Sequence, residues 1–350
     1  MQCDCIGQQC VFYGSALGCF AACIQGMKSK IQLRRGFGGI KIQMDKETRN
    51  DLPGIQWFPG HMKKAQRLIE ENLKLVDVVI ELLDARIPAS SANPMLADII
   101  RHKPRLIALN KSDLADPLST KRWLAYFRAQ GIPAVAIDSM KGRGMKQLVA
   151  KAEELARPKT DRLVAKGGRP RAARCMILGI PNVGKSSLIN RLAGAVKAKA
   201  ADKPGVTRAK QWIKIGAALD LLDTPGILWP KFEDQMVGLK LAFTGAINDE
   251  IYDREQVTAL LLSVMRRDYP ERLQERFKFK GDMPEDGIEL LEAIGRKRGC
   301  LVKGGVVDLE KAQNIVLTEF RSGKLGLVTL DEVPQSASTE AADEKRGDEA

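Results

Sequence analysis

An eight-residue stretch just past the middle of the chain constrains the fold more than any other feature. Residues 179–186 have the sequence GIPNVGKS, which fits the pattern G-x-x-x-x-G-K-[ST]. The apolar run at 175–178 predicts a buried strand before this stretch, and the sequence SLINRL at 187–192 predicts an amphipathic helix after it. Glycines let backbone N–H groups surround phosphate oxygens, and a helix N-terminus adds partial positive charge. We therefore predict a phosphate-binding loop; a glycine turn that binds nothing is the alternative.

The side chains of this loop predict contacts with a nucleotide and with a metal ion. Lys185 would reach the β- and γ-phosphates, and Ser186 would bind Mg²⁺. Because Lys185 would neutralise charge on the transferred phosphate, it is also a predicted catalytic residue. The predicted nucleotide contacts of the loop are Asn182, Val183, Gly184, Lys185, Ser186 and Ser187.

Composition indicates a globular chain with a polyanionic partner. Apolar residues make up 44% of the chain, charged residues 28%, and the net charge is +13. The basic residues accompany no strongly apolar amphipathic stretch, so nucleic acid is a better predicted partner than a membrane. A basic surface that merely keeps the protein soluble is the alternative. Five of the seven cysteines fall within the first 23 residues, which is no disulfide framework and favours the reducing cytoplasm.

The chain divides into regions of different pattern. Between 55 and 230 strand and helix patterns alternate, which predicts a parallel, doubly wound sheet with ligands at the carboxyl ends of its strands. Between 245 and 326 the patterns are helical and interrupted by basic clusters, which predicts a small all-α domain with charge suited to a nucleic-acid partner. Residues 1–43 are predicted to be an extraneous or disordered extension, and residues 331–350 a disordered acidic tail. We expect a monomer.

A second motif predicts recognition of guanine. Asn110-Lys111-Ser112-Asp113 follows a predicted strand at 105–109. Asp113 would accept hydrogen bonds from the N1 and N2 donors of the base, Asn110 would brace the phosphate loop, and Lys111 would lie along the base. Asp138 and Ser139 end the next predicted strand, where the Ser139 backbone could support the base. The alternative is a polar turn in which Asp113 caps a helix.

Two further elements predict a site for Mg²⁺ and for the γ-phosphate. Asp223 and Gly226 form a D-x-x-G motif after an apolar strand, so that Asp223 would meet Mg²⁺ through water and Gly226 would sense the γ-phosphate. Thr207 lies about twenty residues past the phosphate loop. It would complete the Mg²⁺ shell and close over the phosphate during catalysis.

The order of these motifs is unusual. Ordinary GTPases have the phosphate loop first and N-K-x-D last, whereas here N-K-x-D comes first and D-x-x-G comes last. A parallel sheet tolerates this permutation if a new link joins the old ends, and the basic segment 157–174 would be that link. The segment after Asp223 leads straight into the helical region, so the state of the nucleotide could reorient it.

The motifs and their order resemble the circularly permuted GTPases, and most specifically the ribosome biogenesis GTPase A family, also called YlqF. The resemblance extends over 55–326 and is carried by Ile55–Met62, Asp84–Pro88, Asn110–Asp113, Gly179–Ser186, Asp223–Lys231 and Lys297–Cys300. It implies hydrolysis of GTP to GDP and phosphate, late assembly of the large ribosomal subunit, and ribosomal RNA as the partner. The implied fold is α/β, a doubly wound, circularly permuted P-loop GTPase domain followed by a small all-α helical domain.

The resemblance also bears on catalysis. Ile227 follows Gly226 where other GTPases have a glutamine that orients water, and an aliphatic side chain cannot do this. The resemblance points instead to His61; a surface histidine is the alternative. Asn182 resembles the asparagine that ligates K⁺ beside the phosphates in related GTPases. The implied ligands are therefore GTP or GDP, Mg²⁺ and K⁺.

Two other functions remain open from the residues alone. The chain could be a different P-loop NTPase, such as an ATPase or nucleotide kinase, in which case it would lack a guanine reader. It could also be a nucleotide-regulated RNA-binding module in which hydrolysis is incidental.

Overall fold

The fold is organised around one mixed sheet. The computed structural model describes residues 62–100, 102–194, 211–223, 232 and 234–334, so the predictions for 1–43, His61, Thr207 and Gly226 fall outside its description. Its strands are β1 (Val78–Asp84), β2 (Arg105–Asn110), β3 (Ala134–Ala136), β4 (Ala173–Leu178), β5 (Gln211–Ile215) and β6 (Leu219–Asp223). They lie in the order β3-β2-β1-β4-β6-β5, and all neighbours are parallel except β5 and β6, which form an antiparallel pair.

Helices follow the strands in the first part of the chain and stand alone in the second. The first group is α1 (Met62–Leu73), α2 (Pro94–Ile99), α3 (Pro117–Ala129), α4 (Met145–Ala165) and α5 (Lys185–Ala193). The second group is α6 (Gln235–Phe243), α7 (Arg254–Asp268), α8 (Pro270–Phe277), α9 (Gly287–Lys297) and α10 (Leu309–Arg321). The prediction of an α/β fold followed by a helical region is confirmed. Within the described ranges, no helix is both long enough and apolar enough to cross a membrane.

The central strand β1 is buried along its whole length. Its seven residues are apolar except for one Glu and the terminal Asp, and all are buried. Val79 and Leu83 lie on one face and pack into clusters that include Leu73 of α1 and Trp123 of α3. Ile80 and Leu82 alternate with them and are also fully buried, so both faces of the sheet are covered, as a parallel sheet requires.

Four helices of the helical region begin with an aspartate N-cap. Helices α6, α7, α9 and α10 each follow an aspartate whose carboxylate accepts a hydrogen bond from a backbone N–H of the first turn; these caps are Asp234, Asp253, Asp286 and Asp308. A carboxylate at this position satisfies an otherwise unpaired donor and interacts favourably with the helix dipole. Helices α7, α9 and α10 then pack on one another.

Helix α4 continues past its predicted end. The basic segment 157–174 was predicted to be the link that joins the old ends of the permuted domain, but its first part is helical, because α4 extends to Ala165 and has Pro158 inside it. Ala152 and Ala156 are buried, and Lys159 Nζ lies 2.7 Å from the buried carboxylate of Asp77. A proline inside a helix removes a backbone hydrogen bond and normally ends or kinks the helix. Here these tertiary contacts stabilise the helical turns on both sides of Pro158.

The predicted acidic tail begins later than its composition suggested. Asp331 is 6% exposed and accepts hydrogen bonds from the backbone N–H of Ser90 (2.7 Å), from Ser90 Oγ (2.8 Å) and from Lys240 Nζ (2.7 Å). The prediction that the tail starts at Asp331 is therefore wrong, because this carboxylate belongs to a buried polar network. The residues after 334 lie outside the described part of the chain.

We expect Asp331→Ala to lower the free energy of unfolding by about 2–4 kcal/mol, because it leaves the Lys240 ammonium and the Ser90 donors buried without their acceptor. Denaturation in urea would measure this. The exposed Asp282 gives the matched control, and Asp282→Ala should change stability by less than about 0.5 kcal/mol. Equal effects of the two substitutions would contradict the structural role of Asp331.

Candidate nucleotide site

The phosphate loop connects β4 to α5, as its sequence predicts. Gly184 has φ +103° and directly precedes Lys185, the first residue of α5. A Cβ at Gly179 would lie 2.6 Å from the carbonyl oxygen of Leu82, and a Cβ at Gly184 would collide with the side-chain amide of Asn110. Both glycines are therefore required by close approach, one to the central strand and one to the loop after β2.

The loop and the first turn of α5 present the donors that a phosphate needs. Lys185 is 8% exposed, and its Nζ donates hydrogen bonds to the carbonyl oxygens of Gly179 (3.0 Å) and Ile180 (2.7 Å). The ammonium thus lies within the loop. Ser186 and Ser187 follow in the first turn, where backbone N–H groups have no intrahelical acceptor.

The side chain of Asn110 joins three loops. Its Nδ2 donates a hydrogen bond to the Val183 carbonyl in the phosphate loop (2.7 Å), while its Oδ1 accepts from Ser139 N (3.2 Å) and Ser139 Oγ (2.8 Å). Asn110 is 2% exposed. One amide therefore connects the ends of β2 and β3 to the loop after β4.

The turn after β3 is held from two directions. The Asp138 carboxylate accepts hydrogen bonds from the backbone N–H groups of Met140 and Lys141, both at 2.9 Å, so this side chain shapes the turn. Arg191 of α5 donates from Nε to the Ser139 carbonyl (3.1 Å). The sequence did not single out Arg191, because a contact across 52 residues leaves no local pattern.

The carboxylate of Asp113, predicted to bind the base, is partly exposed. Lys141 Nζ lies 3.7 Å from Asp113 Oδ2. The Lys141 side chain is 65% exposed, so this ion pair is weak, and a base with its own donors can displace it.

The ammonium of Lys111 pairs with a buried carboxylate. Its Nζ lies 3.1 Å from the buried carboxylate of Asp84, so only the aliphatic part of the side chain is left to lie along a base. Arg86 binds the same carboxylate through Nε (2.9 Å) and Nη2 (2.7 Å). Burial alone would raise the pKa of Asp84, but Arg86 and Lys111 outweigh it and hold that pKa well below its usual range. Burial in turn lowers the pKa of Lys111.

The remaining predicted residues are partly outside the described chain. Asp223 is the last residue of β6, which runs parallel to β4, so the backbone brings it to the edge that carries the phosphate loop. The Asn182 side chain donates a hydrogen bond from Nδ2 to the carbonyl of Gly245, just after α6 (2.8 Å). The phosphate loop therefore touches the helical region directly.

A phosphate loop that follows β4, with the N-K-x-D sequence at the end of β2 earlier in the chain, defines a circularly permuted P-loop GTPase. The protein-family model described as "50S ribosome-binding GTPase" matches residues 174–283. The ribosome biogenesis GTPase A of Bacillus cereus is 55% identical over 295 residues, which cover 84% of this chain and 99% of that protein. The chain belongs to the ribosome biogenesis GTPase A family and is a GTP hydrolase.

Solved structures give the same assignment. The GDP-bound structure of Thermotoga maritima YlqF is 30% identical, with a TM-score of 0.53, and the match covers 76% of this chain and 99% of that one. The GNP-bound form has a TM-score of 0.54 at the same identity and covers 77% of this chain and 98% of that one. The predicted family and the predicted GTPase activity are confirmed.

We expect Asn110→Asp to weaken GDP binding by at least about tenfold, because a carboxylate oxygen would replace the donor that faces the Val183 carbonyl. Ser139→Ala is the matched control, since the Ser139 backbone N–H would still donate to Asn110 and the loss should be smaller. Titration with a fluorescent GDP analogue measures both. Equal affinities of Asn110→Asp and the unchanged protein would contradict the role given to this amide.

Proposed function

We propose that this GTPase acts in late assembly of the large ribosomal subunit, with ribosomal RNA as its partner. The observation that carries the proposal is the contact between Asn182 of the phosphate loop and Gly245 at the end of α6 (2.8 Å). Such a contact allows the bound nucleotide to influence the helical region. The names of the relatives and the "50S ribosome-binding" family description support the ribosomal partner.

Charge supports an RNA partner. The net charge is +13, and the helical region has exposed cations such as Lys280 and Lys303. Lys297 Nζ lies 4.7 Å from the centre of the Phe279 ring, which holds a further cation at the surface. A basic face of this kind is the electrostatic footprint of nucleic-acid binding. The proposal includes a cytoplasmic, monomeric protein without a membrane partner.

The phosphate chemistry follows from the site. When bound, Mg²⁺ would neutralise charge on the β- and γ-phosphates. Ser186 at the start of α5 and Asp223 at the end of the adjacent strand fit such an ion, with Thr207 as the proposed third contact. Lys185 would leave the loop carbonyls for the phosphate oxygens, and Gly226 would report the presence of the γ-phosphate.

The proposed water-orienting residue is His61, because Ile227 cannot position water. We expect purified large subunits, but not small subunits, to raise GTP turnover. His61→Ala should reduce the stimulated kcat by about a hundredfold while the Kd for GTP stays unchanged. His61→Gln should recover part of the rate, since glutamine orients water in other GTPases.

The measurement is steady-state phosphate release with each subunit added in turn. Full stimulation of His61→Ala would remove His61 from the mechanism. Equal stimulation by both subunits, or by neither, would contradict the assignment to the large subunit.

Asn182 is the proposed K⁺ ligand through its Oδ1, because hard cations take oxygen ligands. We expect replacement of K⁺ by Na⁺ at constant ionic strength to lower kcat by about tenfold or more, because a cation beside the phosphates stabilises the transition state. Asn182→Asp keeps an oxygen ligand and should keep the K⁺ dependence, whereas Asn182→Ala should lose it. Equal rates in the two salts would exclude this role.

A further inference from the structure

A cationic cavity opens at the edge of the sheet that faces away from the nucleotide site. Its volume is about 270 Å³. His102 and Lys103, just before β2, form one wall; Lys159 and Arg162 of α4 form the other; and Asp77, just before β1, lies between them. The phosphate loop follows the carboxyl end of a parallel strand, so about 20 Å of sheet separates the two sites.

The single acid of this cavity is already fully engaged. Asp77 accepts hydrogen bonds from Arg171 Nη1 (2.7 Å) and Nη2 (3.0 Å) and from the backbone N–H of Arg174 (2.9 Å), and Lys159 Nζ lies 2.7 Å from it. Burial alone would raise the pKa of Asp77, but these partners lower it to about 2. Asp77 therefore carries its charge at neutral pH and has no capacity left for further cations.

The cavity consequently holds an excess of positive charge. Lys103 Nζ and Lys159 Nζ donate hydrogen bonds to the same oxygen, the Val76 carbonyl, at 3.0 and 3.1 Å. Burial and the neighbouring Lys159 ammonium lower the pKa of Lys103. Arg162 adds a third cation to the lining. Two ammonium groups near one carbonyl, a guanidinium and one fully engaged carboxylate give the lining an electrostatic preference for anions.

The surroundings favour a nucleic-acid phosphate over a small enclosed ligand. His102, Lys159 and Arg162 are exposed, so the cavity is open to large partners. Exposed cations continue beyond it at Lys166 and Arg169, in the segment that joins α4 to β4. Small-molecule sites bury most of their ligand, whereas an open basic stripe follows a nucleic-acid backbone.

We propose that this cavity is a subsite for a backbone phosphate of RNA, bound by Lys103, Lys159 and Arg162. The inference rests on the proposed function, which supplies RNA as the partner. With this subsite, the GTPase domain would bind RNA separately from the helical region. Lys159 and Arg162 belong to the segment 157–174, which joins the old ends of the permuted domain. The RNA would thus be bound on two sides of the sheet, by this edge and by the helical region.

The test compares two double variants of the full chain, each saturated with GDP and Mg²⁺ so that the phosphate loop is filled. The cavity variant, Lys103→Gln/Arg162→Gln, removes two cations from the cavity. Asp77 keeps its ion pairs with Lys159 and Arg171, and the Val76 carbonyl keeps its hydrogen bond from Lys159. Lys146→Gln/Arg157→Gln removes the same charges from α4 outside the cavity. Basal GTP turnover and thermal unfolding of both should match those of the unchanged protein.

Binding is measured with RNA extracted from purified large ribosomal subunits, at several KCl concentrations, and separately with inorganic pyrophosphate. We expect the cavity variant to bind RNA about tenfold more weakly and to lower the slope of log K against log[KCl] by about 1, as loss of one phosphate contact predicts. The control variant should lose less than about threefold.

Equal losses in the two variants, or none in the cavity variant, would overturn the inference and leave the proposed function intact. Failure of the unchanged protein to bind this RNA would contradict the proposed function itself. Pyrophosphate binding that is lost only in the cavity variant, with RNA affinity unchanged, would assign the site to a free phosphate compound and overturn the RNA assignment.

Discussion

The nucleotide site depends on one buried side-chain amide. Asn110 donates to the Val183 carbonyl and accepts twice from Ser139, so the loops after β2, β3 and β4 share a common fixed point. A buried amide of this kind stabilises the folded state only when all its hydrogen-bond partners are in place. An unsatisfied donor or acceptor in the interior would lower the free energy of unfolding. Gly184 is part of the same constraint, since any side chain there would displace the amide. The loops predicted to contact the base and the phosphates are therefore held in fixed positions relative to one another.

A buried network of charged side chains connects the loop after β2 to the helical region. Asp84 holds Arg86 and Lys111, and the other guanidinium nitrogen of Arg86 donates to the carbonyl of Arg321 (3.5 Å). Arg321 in turn binds the carbonyls of Ala242 and Phe243 at the end of α6 (2.9 and 3.1 Å). Removal of one member would leave a buried charge without a partner and would lower the free energy of unfolding strongly. Replacement of a whole buried ion pair by apolar side chains often changes stability little. The value of the network lies in the fixed geometry that it imposes on both regions.

The sequence predicted what local spacing determines. The phosphate loop, the strand-end motifs and the helices after 245 follow from patterns within a few residues, and the order of the motifs along the chain indicated the permutation. Contacts between distant residues could not be predicted. Asp331 binds Ser90 across 241 positions, Arg191 binds the Ser139 carbonyl, and Lys159 stabilises a helix through Pro158 by pairing with Asp77. The roles of His61 and Thr207 stay predictions, because these residues lie outside the described chain.

The segment 328–331 adds a further attachment between the helical region and the GTPase domain. It returns from α10 to the GTPase domain, where Val328 N donates to the Leu114 carbonyl (3.1 Å) and Leu330 N to the Arg86 carbonyl (2.7 Å). The helical region is thus joined to the GTPase domain by this segment as well as by the contacts of Asn182 with Gly245 and of Arg86 with Arg321. Because these contacts come from separate parts of the chain, the helical region can change its position only if several of them rearrange together. A substitution that weakens the return segment would therefore also loosen the surroundings of the phosphate loop.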